Sequence, residues 1–215
     1  MTLRDIEYFY STHSAFAYLG AKKLAEICEA HDCRLIHRPF ALSPVVEAAG
    51  GLSFAGRTQA HVDYFFGREI ERWAEYRGVP VIAHRPTYHD NALHLSSGML
   101  IAAEQAGLDV DALSFAMLQG HWRDDTDLAN PEDLARVAET VGVDAAPLIM
   151  TAMTPNVQAV FEENTQEALA RGVFGSPTYF VDGDMFYGQD HLELVERAVA
   201  QPFAVSSFKN PPVDG

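Results

Sequence analysis

Cysteine is scarce in this chain. Its 215 residues include only Cys28 and Cys33, and the two do not form a C-x-x-C pair. Dithiol exchange needs a thiol of low pKa at the N-terminus of a helix, with a resolving thiol nearby. Because Cys28 falls late in a predicted helix and Cys33 enters the next predicted strand, we expect two small, half-buried hydrophobic residues. The sequence therefore argues against dithiol chemistry.

Positive charge is also scarce. Fifteen Lys and Arg stand against thirty Asp and Glu, which gives a net charge of −15. Nucleic acids and anionic membrane surfaces require clustered positive charge, so we expect neither as a partner. The first seven residues lack a signal-peptide pattern, and no apolar run approaches the length of a membrane span. We expect a cytoplasmic protein that binds any anionic ligand through a few local donors.

A metal-binding pattern is missing although the chain has nine histidines. His84, His89 and His94 recur every five residues, which fits neither one face of a helix nor a known zinc spacing. We predict no metal and expect surface or hydrogen-bonded histidines. His13 differs from these, because it directly precedes the candidate residue Ser14 and histidine titrates near neutral pH.

The N-terminal forty residues carry a strand, helix, strand pattern. Residues 6–10 are β-type, and residues 33–40 form a second strand-like run. Between them, apolar residues at helical spacing predict a helix that ends near His31. Two such strands joined through one helix should lie parallel. The 48% apolar content is ample for a core.

Residues 44–154 read as helices throughout. Ser43 with Pro44 resembles an N-cap followed by a helix-starting proline, Gly78 is a stop signal, and Asn91 precedes another apolar run. The predicted helices run over residues 43–50, 57–77, 91–105, 110–122, 130–141 and 144–153. The inserted helical segment is large enough for a small domain.

Residues 172–190 are the most informative stretch of the chain. A helix predicted over residues 155–170 leads into this stretch, Asp182-Gly183 is a hairpin signal between two short strands, and a last helix is predicted over residues 190–200. Pro177 cannot donate a ladder hydrogen bond, so it would leave a sheet edge where an extended peptide could pair with the backbone of Ser176. A cis Ser176–Pro177 bond fits this position.

The motif Gly172-Val-Phe-Gly-Ser-Pro-Thr178, followed by Met185-Phe-Tyr-Gly-Gln-Asp190, resembles the 2-hydroxychromene-2-carboxylate isomerases. That family belongs with the kappa-class glutathione transferases and the DsbA-like proteins. The resemblance implies an α/β fold, a thioredoxin-like domain (βαβ plus αββα) with an all-helical domain inserted between its halves. The expected division is residues 1–43 and 155–203 for the thioredoxin-like domain, 44–154 for the insertion and 204–215 for a tail.

The resemblance assigns Ser14 to the glutathione sulfur. Independently, the first turn of a helix offers unpaired N–H groups that stabilise an anion, and a hydroxyl there can donate to a thiolate. The alternative is a plain N-cap, for which serine is a common residue. Ser11 and Thr12 are the nearby competitors, and we rank both below Ser14.

The remaining predicted site residues surround this serine. The resemblance implies that Ser176 and Pro177 pair with the cysteinyl backbone of glutathione, and that Gly188, Gln189 and Asp190 hold its γ-glutamyl end. For Asp190, an N-cap role is the alternative and can coexist. We list Asn91 and His13 as candidates for substrate binding, with a helix cap as the equal alternative for Asn91.

The sequence departs from the family pattern on the acceptor side. Ala15 stands where a proline usually follows the serine, and His191 and Ser97 stand where arginine is frequent. The resemblance implies glutathione as the cofactor and a small aromatic molecule as the substrate. The leading hypothesis is a glutathione-dependent isomerase, with a kappa-like transferase and a non-catalytic thioredoxin-like scaffold as alternatives. The resemblance also implies a homodimer.

Overall fold

The computed structural model describes residues 4–212. Residues 1–3 and 213–215 lie outside it, and with them the predictions for the start of the chain and the last part of the tail. Within residues 4–212, no helix is long and apolar enough to cross a membrane.

The predicted strand, helix, strand opening is confirmed. Strand β1 spans Arg4–Tyr10, helix α1 spans Ala15–His31 and strand β2 spans Cys33–Pro39. The two strands pair in parallel, with Ile6 opposite Leu35. Helix α1 ends where Asp32 adopts a left-handed conformation and its N–H bonds the carbonyl of Cys28.

The inserted region is helical, as predicted, with local corrections. Ser43 is not an N-cap, because the helix already begins at Leu42. Asn91 is not one either, because its helix begins at His94 after a turn. The helices are α2 (Leu42–Ala48), α3 (Gln59–Asp63), α4 (Glu69–Arg77), α5 (His94–Gln105), α6 (Val110–Asp124), α7 (Pro131–Glu139) and α8 (Ala145–Ala152). A 3-10 turn precedes α3 at Phe54–Gly56, and a π turn at Tyr64–Arg68 joins α3 to α4.

The C-terminal half adds two strands to the sheet. Helix α9 (Pro155–Ala170) leads to β3 (Thr178–Val181) and β4 (Asp184–Tyr187). Asp182 and Gly183 both have positive φ, as the predicted tight hairpin requires. After a 3-10 turn at Gln189–His191, helix α10 covers Leu192–Ala200. It begins two residues later than predicted and ends at the predicted residue.

Strand β3 lies inside the sheet, whose order is β2-β1-β3-β4. The prediction that Pro177 leaves an open sheet edge is therefore wrong for the strand that follows it. Antiparallel partners flank β3 on both sides, and only its N-terminal end, before Thr178, is open for pairing. The Ser176–Pro177 bond is cis.

A shared core fixes the inserted helices on the sheet. Ile6 and Tyr8 of β1 belong to the same buried cluster as Met99 of α5 and Leu113 of α6. A smaller cluster around Phe9 and Phe180 fills the opposite face of the sheet, under α9. The insertion therefore holds a set position against the β1–α1 turn, although its exact domain boundaries stay a prediction. Residues 202–212 carry no regular secondary structure.

Candidate active site

The β1–α1 turn and the start of β3 meet at one point. The Oγ of Ser14 lies 3.2 Å from the carbonyl oxygen of Ser176, to which it donates a hydrogen bond. The N–H of Ser11 donates in turn to the Oγ of Ser176 at 3.0 Å. Two segments that are far apart in sequence are thus joined by two hydrogen bonds at the residue before the cis proline.

The segment around Pro177 is held on its other side by β4. The N–H of Gly188 donates to the carbonyl of Pro177 at 2.9 Å, and the hydroxyl of Thr178 donates to the carbonyl of Gly175. The ring of Tyr187 lies over Gly175 so closely that a Cβ there would come within 2.3 Å of it. Any larger residue at this position would have to displace the Tyr187 ring.

Ser14 is an N-cap and can still serve as a ligand. Its Oγ accepts the N–H of Ala17 at 3.2 Å. Within residues 4–212, the N–H groups of Ala15 and Phe16 find no hydrogen-bond acceptor. The start of α1 thus offers two backbone donors and a hydroxyl to an anion.

The two competing hydroxyls are buried. Ser11 and Thr12 are both fully inaccessible, and Thr12 hydrogen-bonds Ser96 at 2.8 Å. Ser14 retains 6% of its surface. Ser14 is thus the most accessible of the three hydroxyl residues in this turn, although it is also mostly buried.

Of the three residues predicted to hold the γ-glutamyl end, Gly188 and Gln189 are buried and Asp190 is exposed. Gly188 has a positive φ of 93°, and an added Cβ would collide with the carboxylate of Asp190. Asp190 is exposed and available to a cation. The side chain of Gln189 is instead buried, because Arg77 of α4 donates both to its Oε1 and to its backbone carbonyl. Gln189 therefore links the insertion to this turn.

The cysteines are unsuited to redox chemistry, as predicted. Both are free, and Cys28 sits late in α1 while Cys33 begins β2. Burial raises the pKa of the Cys28 thiol to about 12, and burial also raises the pKa of Cys33. Neither thiol is ionised at neutral pH, so any reactive thiolate must come from a ligand.

The two candidate substrate-binding residues, Asn91 and His13, contact different residues of the inserted helical region. The side-chain amide of Asn91 donates to both carboxylate oxygens of Asp127, at 3.1 and 3.0 Å. The ring of His13 stacks on His89 with 4.4 Å between centroids, and its carbonyl accepts the indole N–H of Trp122. His13 thus joins the insertion to the turn that carries Ser14.

Sequence reasoning missed three residues near the site. The histidines were expected at the surface or in hydrogen bonds, and the half-buried His89 and the buried His121 do hydrogen-bond each other at 2.9 Å, but this pairing was not predicted. Arg57 was not considered, and its Nε is buried without a hydrogen-bond partner in the described chain. Burial raises the pKa of Tyr187, and nearby Arg57 opposes that shift. No sequence pattern identifies these residues, because each depends on contacts between distant segments.

A wide depression lies at the other end of the sheet and contains none of these residues. It has a volume of about 1130 Å³ and is lined by the start of β1, the β3–β4 turn and the end of α10. We place the candidate site at the Ser14 and Ser176 junction, because donors and the cis proline converge there.

The fold and this site together define a thioredoxin-like protein in which a serine hydroxyl, instead of a thiol, stands at the start of the first helix. The family model for the DSBA-like thioredoxin domain matches residues 5–200, and the chain belongs to that family.

Known proteins resemble the chain over nearly its full length. It is 29% identical to a 2-hydroxychromene-2-carboxylate isomerase of Sphingobium xenophagum, over 90% of this chain and 96% of that protein. It is 24% identical to glutathione S-transferase kappa 1 of Rattus norvegicus, over 89% of each chain. A solved 2-hydroxychromene-2-carboxylate isomerase structure matches with a TM-score of 0.78 and 23% identity, over 92% of this chain and 95% of that one. The predicted family and fold are confirmed.

Proposed function

We propose that the protein is a glutathione-dependent isomerase of the 2-hydroxychromene-2-carboxylate type, acting on a conjugated aromatic 2-oxo acid. The observation that carries the proposal is the 3.2 Å contact between the Ser14 hydroxyl and the Ser176 carbonyl. It brings an anion-stabilising helix start next to a backbone edge that can pair with a peptide. The isomerase names of the relatives support the reaction class.

The donors at this junction fit a small thiol-containing tripeptide. The Ser176 N–H has no partner within residues 4–212. Together with the Ser176 carbonyl it provides one backbone donor and one backbone acceptor, which strand-like pairing with a cysteinyl unit requires. Asp190 is an exposed carboxylate for the γ-glutamyl ammonium. Arg57, with its unpartnered Nε, is the cation we assign to a carboxylate. A cytosolic disulfide reductase with this fold, DsbM of Pseudomonas aeruginosa, has been solved with glutathione.

Glutathione, when bound, supplies a nucleophilic thiolate that adds reversibly to the conjugated double bond, permits rotation about it and leaves unchanged. Ser14 holds that sulfur in its anionic form, by turning its hydroxyl proton from the Ser176 carbonyl toward the ligand. A charge-assisted hydrogen bond stabilises the anion by about 1.5–3 kcal/mol. One pKa unit corresponds to about 1.4 kcal/mol, so this stabilisation suffices to lower the pKa of a free thiol from ~8.5 to near neutral pH.

The sharpest test compares Ser14→Ala with Ser97→Ala. Both substitutions remove a buried serine hydroxyl, but Ser97 lies in α5 and its Oγ has no partner among the described residues. We expect isomerase turnover at saturating glutathione to fall by a factor on the order of 100 in Ser14→Ala, since one donor to a developing anion has that effect. Ser97→Ala should keep normal turnover. Equal turnover in both variants would remove Ser14 from the mechanism.

Product analysis separates the isomerase from a kappa-like glutathione transferase, which the 24% identical rat protein favours as the second candidate. The isomerase leaves the glutathione concentration unchanged, whereas the transferase consumes it.

Calorimetry tests the third hypothesis, a non-catalytic scaffold, which predicts no glutathione binding at millimolar concentration. A homodimer and a cytoplasmic location remain predictions.

A further inference from the structure

Tyr10 lies at the centre of a hydrogen-bond network that the proposed function does not use. Its hydroxyl oxygen is 2.9 Å from Nδ1 of His37, and Nε2 of the same ring is 2.7 Å from a carboxylate oxygen of Asp111. On the other side, the hydroxyl of Ser114 donates to the Tyr10 hydroxyl at 2.8 Å. Tyr10 is fully buried and His37 is 5% exposed, whereas the side chain of Asp111 is 61% exposed. The network therefore runs from the core to the protein surface.

The acceptors in this network fix the positions of its protons. The Asp111 carboxylate can only accept, so Nε2 of His37 carries a proton and donates it. In the neutral imidazole Nδ1 is then an acceptor, and the Tyr10 hydroxyl donates to it. The Tyr10 oxygen accepts the Ser114 proton at the same time. Tyr10 is therefore a phenol whose own proton is directed at a base.

Two further tyrosine rings are stacked in line with Tyr10. The ring of Tyr8 lies 4.1 Å from that of Tyr10 at an interplanar angle of 10°, and the ring of Tyr179 lies 5.5 Å from Tyr8 at 6°. Burial raises the pKa of all three hydroxyls, so each is a neutral phenol at neutral pH. The hydroxyls of Tyr8 and Tyr179 are buried without a hydrogen-bond partner among residues 4–212. Of the three stacked phenols, Tyr10 is thus the one with a base in the described chain.

This arrangement suits Tyr10 for the loss of one electron. A buried phenol that loses an electron must also lose its proton, because a positive charge on the ring is costly in the core. The Tyr10 proton can move to Nδ1 of His37 along the existing hydrogen bond, and the imidazolium so formed is paired with Asp111. The product in the core is an uncharged tyrosyl radical. Tyr8 and Tyr179 have no such base, so an electron removed from either ring is replaced from Tyr10 through the stacked rings.

Tyr10 is also close to the candidate active site. It is the last residue of β1, and Ser11 follows it. The N–H of Ser14 bonds the carbonyl of Ser11 at 2.9 Å, which closes a tight turn. Successive Cα atoms are about 3.8 Å apart and such a turn spans less than about 7 Å, so the Cα atoms of Tyr10 and Ser14 are within about 11 Å of each other. An electron crosses this distance in a protein without direct contact between the reacting groups.

We propose that Tyr10 is a one-electron donor that reduces a thiyl radical formed on a thiol ligand at Ser14. In this step the sulfur radical takes one electron from Tyr10 and becomes a thiolate, while the phenolic proton passes to His37 and Tyr10 becomes a neutral tyrosyl radical. The thiol ligand is thereby returned in its ionised form. The inference rests on the proposed function for that ligand. His37 is the proton acceptor, and Asp111 is a positioning residue that also stabilises the imidazolium.

Photolysis of bound S-nitrosoglutathione generates a thiyl radical in the site, and electron paramagnetic resonance detects the product. We expect a tyrosyl signal in the unaltered protein and its loss in Tyr10→Phe. Tyr18→Phe is the matched control, since Tyr18 follows Ser14 by four residues as Tyr10 precedes it, but its hydroxyl donates to the carbonyl of Pro80, which is not a base. This control should keep the signal. A signal that survives in Tyr10→Phe, or that is lost in Tyr18→Phe, would overturn the proposal.

His37→Gln separates proton transfer from a structural role. A glutamine amide can accept from Tyr10 and donate to Asp111, as the histidine does, but it is not a base. We expect the rate of tyrosyl formation after a photolysis flash to fall by a factor on the order of 100, the usual contribution of a general base. Asp111→Asn keeps an acceptor for His37 and removes the charge, so it should cause a smaller loss. Rates equal to that of the unaltered protein in both variants would contradict the proton transfer.

The design distinguishes failure of this inference from failure of the proposed function. If glutathione binds and Ser14→Ala loses turnover, but photolysis gives no tyrosyl signal, the Tyr10 inference is wrong and the proposed function stands. If glutathione does not bind, the proposed function fails. Azide radicals from pulse radiolysis, which oxidise tyrosine without any thiol, then still test Tyr10. The tyrosyl signal should be stronger and longer-lived in the unaltered protein than in Tyr10→Phe, and equal signals would overturn the assignment of Tyr10.

Discussion

The candidate site has two sides, which we name the glutathione side and the acceptor side after the ligands proposed for them, and the two are built from different groups. On the glutathione side, the segment around Pro177 is positioned by backbone groups and glycines. These are the Ser176 carbonyl, the Gly188 N–H and Gly175, which lies under the Tyr187 ring. On the acceptor side, side chains from distant segments do the positioning, with the His13–His89–His121 stack at the centre. Backbone geometry is encoded in short local patterns, whereas a side-chain stack depends on this chain's own tertiary contacts. The following predictions test that contrast, from the largest effect to the smallest.

A glycine on the glutathione side should be irreplaceable. Gly20 lies inside α1, and a Cβ there would come within 2.6 Å of the Gln189 Cβ and 3.2 Å of Leu192. We expect Gly20→Val to lower the free energy of unfolding by about 3 kcal/mol, because overpacking of this helix against the 3-10 turn cannot relax cheaply. Urea denaturation measures it.

The control is Gly67→Val in the π turn of the insertion, where a Cβ would meet nothing within 4 Å. Valine has a better helix propensity than glycine, so this variant should be neutral or slightly more stable. If both valine variants lose the same stability, the glutathione side is no more tightly packed than the insertion, and the contrast fails.

The acceptor side should be the part that is sensitive to acid. The pKa of His13 falls to about 4 in the folded protein, chiefly through burial, from an ordinary value of 6.5. Between these values the unfolded chain binds more protons, so stability is full above pH 6.5 and is lost as the pH falls towards 4. The charged groups that act on the ring are Arg85, Asp90 and His121.

His13→Phe keeps an aromatic ring in the stack but removes the titration. Since the Nδ1 of His13 is buried without a partner, the substitution breaks no hydrogen bond at that nitrogen. We expect the stability loss between pH 6.5 and 5 to be smaller in this variant by about 1.4 kcal/mol per pH unit, or roughly 2 kcal/mol in total. Urea denaturation at several pH values measures this. An unchanged pH profile would show that His13 titrates normally.

The same contrast explains how much the sequence could predict. The end of α1 and both ends of α9 were predictable within a residue, because periodicity and local stop signals define them. The proximity of Ser14 to the Pro177 segment followed from the family resemblance, but the hydrogen bond from Ser14 to the Ser176 carbonyl was not predicted. The helix-cap alternative for Asn91 is wrong, because the helix begins at His94 and the Asn91 amide donates to Asp127, 36 residues later. His121 lies inside an ordinary helix pattern, and only the fold brings it to His89.

A side chain of the inserted helices supports the glutathione side, and its removal should lower the stability by a smaller amount. Arg77 of α4 is bonded to the Oε1 and the carbonyl of the buried Gln189. Arg77→Met leaves both acceptors without this donor, so we expect a loss of about 1–2 kcal/mol in stability and weaker glutathione binding. Arg72→Met, on the same helix but half-exposed and paired with Glu69, is the control and should change stability by less than about 0.5 kcal/mol. Denaturation and calorimetry on both variants decide it.

Substitution of Asn91 should have the smallest effect on stability, and it should separate binding on the acceptor side from binding on the glutathione side. Its amide contacts only the Asp127 carboxylate among described side chains, and Asn91 itself is exposed. Asn91→Ala should therefore shift the free energy of unfolding by no more than about 0.5 kcal/mol. If the exposed amide contacts the acceptor substrate, KM for that substrate rises while kcat and glutathione affinity stay unchanged, because the interaction is uniform between bound substrate and transition state. Asn156→Ala, exposed in the first turn of α9, should change neither constant. A KM that responds equally to both variants would remove Asn91 from the acceptor side, and a stability loss above 1 kcal/mol would make its bond to Asp127 a structural one.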